Sequence, residues 1–140
     1  MDKKNVLVCV KKDILHPIGW ALREFEKMIT VRYVDNTKQI DDLFDAGIGF
    51  CVLIIDSTLQ DKSTFEYIKS FKDRHKNQRI LYIVSEGTRK DEILELIKSK
   101  IVSGVLVRPF TAEQMSDYIY KLCGFQKPTE VPWYMQTGIK

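Results

Sequence analysis

Long apolar runs are missing from this sequence. The first of them, Val6 to Val10, is bounded by Lys3-Lys4 and Lys11-Lys12, too short for a signal-peptide core or a bilayer span, so a soluble cytoplasmic protein with no membrane contact is expected. Cysteine is scarce. The three residues, Cys9, Cys51 and Cys123, are an odd count with no CxxC pair, which argues against a disulfide framework and a zinc site and leaves all three as buried small hydrophobes. With 7 glycines and 4 prolines the chain is neither collagen-like nor low in complexity. It also lacks a block of one charge: 22 basic residues are scattered among 19 acidic ones for a net charge of +3, so nucleic acid is not an expected partner. Neither a glycine-rich phosphate loop nor a nucleophile and base pair follows any apolar run, which leaves a flavodoxin-like enzyme or cofactor binder as the weakest reading and a non-enzymatic protein as the expectation.

What the sequence does have is alternation. Five short runs rich in β-branched residues read as strands: 5 to 10, 30 to 34, 50 to 55, 79 to 84 and 104 to 107. The third and fourth are continuously apolar, as strands covered by helices on both faces must be. Between them lie helical stripes. Ile18, Ala21, Leu22, Phe25 and Met28 share one face after His16-Pro17; a second segment, 39 to 46, ends at Gly47; a third, 63 to 72, brings Phe65, Ile68 and Phe71 together. The fourth, 90 to 100, carries Ile93, Leu94, Leu96 and Ile97, and the fifth opens on the capping-box pattern Thr111 to Gln114 and stops at Gly124. Five β-α units predict an α/β flavodoxin-like doubly wound sandwich, (βα)5, with a parallel five-stranded sheet in the order 2-1-3-4-5. The domain is expected to cover 1–124, leaving 125–140 as an extension or linker. Its Val131-Pro132-Trp133-Tyr134-Met135 is either a docking segment for a partner or a stretch that packs back on its own domain.

Sites in such sheets form beyond the carboxyl ends of the strands, here at Lys11 to Asp13, Asp56 to Thr58, Ser85 to Gly87 and Arg108 to Phe110. On those residues the chain resembles the response-regulator receiver family of two-component signalling. The similarity runs from residue 5 to 124 and rests on Leu53-Ile54-Ile55-Asp56-Ser57-Thr58-Leu59, on Ile83-Val84-Ser85 and on Gly104-Val105-Leu106-Val107-Arg108-Pro109-Phe110-Thr111. The resemblance implies that Asp56 stands in the place of a phosphoacceptor served by a histidine kinase, and that Ser85 and Arg108 contact the phosphoryl group. It also implies a downstream effector and a partner or homodimer face on the fourth helix, fifth strand and fifth helix, where Tyr118 and Tyr120 supply aromatic anchors.

The departures from the family pattern are chemical. Phosphoryl transfer spreads negative charge that needs positioned cations, and the family's Mg²⁺ requires an acidic pair after the first strand. Lys11 and Lys12 occupy those two positions, so no cofactor is expected unless Asp13, one residue on, slips into place and ligates Mg²⁺ together with Asp56. In the direct register the pocket holds Lys11, Lys12 and Arg108 around one carboxylate. Glu86 adds a charge where the family has a small residue, Gln60 and Thr64 leave the acceptor loop's conformation open, and Val105 replaces the family's switch aromatic. An atypical or pseudo-receiver member acting as a protein-interaction module is therefore favoured, with a functional phosphoacceptor as the alternative.

Overall fold

The computed structural model describes residues 3–126; the tail motif at 131 to 135 lies outside them. In chain order the elements are β1 (Lys4–Cys9), α1 (Leu15–Leu22), β2 (Ile29–Val34), α2 (Thr37–Asp45), β3 (Val52–Asp56), β4 (Thr58–Leu59), β5 (Lys62–Ser63), α3 (Phe65–Arg74), β6 (Ile80–Val84), α4 (Lys90–Lys98), β7 (Gly104–Val107) and α5 (Ala112–Leu122). Five strands form one parallel sheet in the order β2-β1-β3-β6-β7, the 2-1-3-4-5 arrangement expected, with register pairs Val8↔Ile54, Ile55↔Tyr82 and Ile83↔Leu106.

The continuous apolar strands are explained by parity. Side chains of a strand alternate between faces. Val6, Val8, Ile54, Leu81, Ile83 and Leu106 face one way, onto Ile18, Ala21 and Phe25 and onto Met115 and Ile119 of α5. Leu7, Cys9, Leu53, Ile55, Ile80 and Tyr82 face the other, onto Ile40, Phe65, Ile68, Phe71 and Leu96. Both faces are dry, so neither tolerates a polar position except at the strand ends.

Local boundaries follow the chemistry of their termini. Asn36 accepts from the Gln39 amide to start α2, and Thr111 and Gln114 form the full capping box of α5. Gly47 and Gly124, at φ 83° and 73°, sit just past α2 and α5, where a side chain would cost most. Three features depart from the expectation or add to what it left open. The first helix is shorter, passing into a 3-10 turn at Arg23–Phe25. The acceptor loop is a hairpin, β4 against β5, with Gln60 and Asp61 at φ 50° and 63° in its turn.

The third difference is at the cysteines. Cys51 and Cys123 form a disulfide, with their Cα atoms 5.1 Å apart, and only Cys9 is free and buried. Counting and spacing argue otherwise because the pair is 72 residues apart and meets only when α5 folds back beside the start of β3.

Candidate functional site

Asp56 ends β3 on the parity of Ile54, so its carboxylate faces the α1 and α5 side of the sheet at the carboxyl edge. It is 0% exposed. Its Oδ2 accepts from the Lys11 backbone N–H at 3.5 Å and lies 4.0 Å from Arg108 Nη1, while Oδ1 accepts from the Thr58 N–H at 3.3 Å. All three interactions are long, so the buried charge rests on several weak donors and one guanidinium.

Arg108 reaches this point because it follows β7 on the parity of Leu106. Its Nη1 is shared between Asp56 and Asp13 Oδ2, the latter at 3.3 Å. Its Nε is buried without a hydrogen-bond partner. The Arg108–Pro109 peptide is cis. Ser85, just past β6 on the parity of Ile83, lines, with Asp13, Ile14, Pro17, Glu86, Arg108 and Phe110, a cleft of about 540 Å³. Three residues inferred from the sequence, Asp56, Arg108 and Asp13, are thus joined by ion pairs, and Ser85 lies in the adjoining cleft.

The two lysines take another course. Among the described residues neither forms an ion pair with Asp56; Lys11 offers only its backbone N–H. Lys11 and Lys12 line a separate hollow of about 450 Å³ with Asp35, Gln60 and Asp61. The expected ring of three cations around the carboxylate is therefore corrected to one. The physical reason is the 3-10 turn at Lys12–Ile14, which leaves β1 just before the sheet edge and turns Asp13 toward Arg108. Asp13 thus shares one guanidinium nitrogen with Asp56.

Several residues that hold the loops are not legible in the sequence. Thr64, 3% exposed, donates its hydroxyl to the Asp56 carbonyl at 2.6 Å, and its N–H to the Ser57 carbonyl at 3.0 Å, which fixes the acceptor loop. Thr88 ties two loops together: its Oγ1 accepts from the Ser85 N–H at 3.1 Å and shares a hydrogen bond with Ser57 Oγ at 3.0 Å. The only signal for it is three-residue spacing from Ser85, common to many turns. At Val105 the carbonyl accepts from Tyr118 Oη at 2.9 Å, and the Tyr118 ring lies over Gly104, where a Cβ would come within 2.3 Å of it.

The solved structures that the chain resembles share this whole architecture. The non-phosphorylated receiver domain of HemR from Leptospira biflexa superposes with a TM-score of 0.71 at 15% identity, over 91% of this chain and 100% of that one. A response regulator receiver domain from Clostridium thermocellum gives 0.69 at 16%, over 88% and 95%. The chain has the receiver fold. A structure described as an adenylate cyclase from Rhodopirellula baltica also superposes on this receiver fold, with a TM-score of 0.73 at 13% identity over 99% and 94%. No protein-family model matches the sequence, and no curated protein does.

The receiver fold implies a Mg²⁺ at this edge, and the residues present do not fit it. A hard divalent cation needs several oxygen donors around one point. Here the buried carboxylate is faced by a guanidinium, the Asp13 carboxylate is engaged by that same guanidinium, and the described residues contain no group of three acidic, histidine or cysteine side chains suited to a metal. The arrangement neutralises Asp56 internally.

Proposed function

We propose that this chain is an atypical receiver domain in signal transduction that acts chiefly as a protein-interaction module. The single observation that carries this reading is the ion pair between buried Asp56 and Arg108, with Asp13 turned onto the same guanidinium. Arg108 supplies one fixed positive charge to the unmodified carboxylate. It cannot bridge several oxygens in octahedral geometry. The domain is therefore held in one arrangement without phosphorylation.

The partner is a protein, in the cytoplasm, and no nucleic acid or membrane is involved; no described helix is long and apolar enough to cross a membrane. Leu94 and Ile97 of α4 and Val107 of β7 are 53%, 49% and 54% exposed, apolar side chains that suit a partner or a second copy. Val105 cannot signal by an aromatic rotamer change, so recognition there is of a constant surface.

The test is chemical. Incubation with acetyl phosphate and Mg²⁺ followed by intact-mass measurement should give no phosphoryl adduct, and partner capture should survive Asp56→Ala. An adduct abolished by Asp56→Asn would overturn this reading in favour of a phosphoacceptor response regulator served by a histidine kinase. The position of Asp56 at the end of β3, beside the Ser85 cleft, is what favours that second reading.

A further inference from the structure

At the pole opposite Asp56, three strand starts converge on the last turn of α5. Lys4, at the start of β1, donates Nζ to the Cys123 carbonyl and lies 5.2 Å from the Phe125 ring. Arg79, just before β6, donates Nη1 to the Leu122 carbonyl at 2.6 Å. Two cations thus satisfy carbonyls that the helix end leaves free. Cys51, just before β3, adds the third tie, the disulfide to Cys123. Phe125 then stacks on Phe25 with ring centroids 6.2 Å apart.

Of these ties only the disulfide depends on an oxidant. Its two residues differ in access: Cys51 is partly exposed, whereas Cys123 is 1% exposed. A solvent thiolate reaches the Cys51 side, forms a mixed disulfide there and releases Cys123 as the leaving thiol. The third cysteine cannot intervene. Cys9 lies on the far face of β1 among Leu7, Leu53 and Ile55, and its burial, with Asp35 and Asp56 nearby, pushes the thiol up to about 12.

We propose that Cys51 and Cys123 are a reversible thiol–disulfide pair that locks the C-terminal turn of α5 to the start of β3. In its oxidised form it fixes the end of α5, Cys123 to Phe125, against the start of β3. A low-molecular-weight disulfide of the oxidised glutathione class supplies the oxidation. Cys51 and Cys123 lose two protons and two electrons to form their bond, and the small disulfide takes both to become two thiols. In a compartment that keeps thiols reduced, such a pair is a sensor rather than a staple. The Cα separation of 5.1 Å lies inside the ordinary disulfide range, so β3 and α5 hold the two residues within bridging distance. Lys4 and Arg79 hold the helix end when the bond is open.

The experiment uses the whole chain equilibrated across ratios of reduced to oxidised glutathione, quenched in acid, unfolded and alkylated before intact-mass measurement. Three cysteines give one tag when the pair is closed and three when it is open, and a single transition between them is expected. Cys51→Ser should hold the count at two throughout. Amide exchange on the native protein is the second readout. Opening the bond should speed the Cys123 and Phe125 amides, which donate to Ile119 and Tyr120, by about tenfold or more while β3 and β6 stay unchanged. The Cys51→Ala/Cys123→Ala double variant should show the fast exchange at every ratio. Three tags under the most oxidising buffer, one tag under excess glutathione, or equal exchange in the two states would each overturn the proposal.

Discussion

Replacing Arg108 by alanine leaves the Asp56 carboxylate buried with no cation. Asp56 is 0% exposed, its backbone donors stand at 3.3 and 3.5 Å, and its ion pair with Arg108 at 4.0 Å is the main compensation for its desolvation. Opposite charges at that separation attract by about 4 kcal/mol at an effective dielectric near 20. The Arg108 side chain is 17% exposed, and ordering it returns part of that gain, so Arg108→Ala is expected to cost about 2–4 kcal/mol. Asp13 supplies the contrast. Its contact with the same nitrogen is shorter, 3.3 Å, yet its side chain is 66% exposed, so Asp13→Asn should cost at most about 1 kcal/mol. Burial, and not distance, ranks the two partners. Urea unfolding of Arg108→Ala, Asp13→Asn, Asp56→Asn and the Arg108→Ala/Asp56→Asn pair measures this. In the Asp56→Asn background the loss of Arg108 should shrink by about 2 kcal/mol, because no buried charge is left unpaired. An Arg108→Ala cost below about 1 kcal/mol, or the same cost in both backgrounds, would refute the argument that the guanidinium neutralises the site.

Gly104→Ala drives a methyl into the Tyr118 ring at 2.3 Å and threatens the Tyr118 to Val105 hydrogen bond; a loss of about 1–3 kcal/mol in thermal unfolding is expected, with partial recovery in Tyr118→Ala. Stability should also fall in alkali. The Cys9 thiol is raised from 9.0 to about 12, so its contribution is whole below pH 9 and is lost as the pH climbs toward 12; reduced Cys9→Ala should lose less stability over that window. Tyr33, Tyr67 and Tyr82 are raised by burial and act in the same direction, so the variant is expected to flatten the alkaline limb rather than abolish it. Thr111→Ala removes one half of the capping box of α5 and should cost about 1 kcal/mol, read by circular dichroism during denaturation.

The two-faced core is legible in the sequence from short-range periodicity, the sheet order from the five β-α units, and the places of Asp56, Ser85 and Arg108 from the strand ends and the receiver resemblance. Period-two alternation puts Asp56 on the face of Ile54 and Arg108 on the face of Leu106, and the caps at Asn36 and Thr111 depend on residues only three apart. What the sequence leaves open is where long side chains turn once the strands have ended. Counting places Lys11 and Lys12 around the carboxylate, but a 3-10 turn carries them to the hollow beside Asp35 and Asp61 and hands Asp13 to Arg108. The meeting of Cys51 with Cys123 belongs to the same class. It spans 72 residues and requires α5 to lie across the start of β3, a juxtaposition fixed by packing and by Lys4 and Arg79 rather than by any local signal. Periodicity determines which face a residue takes; only the closed tertiary structure decides which charges and thiols from distant strand ends arrive within bonding distance.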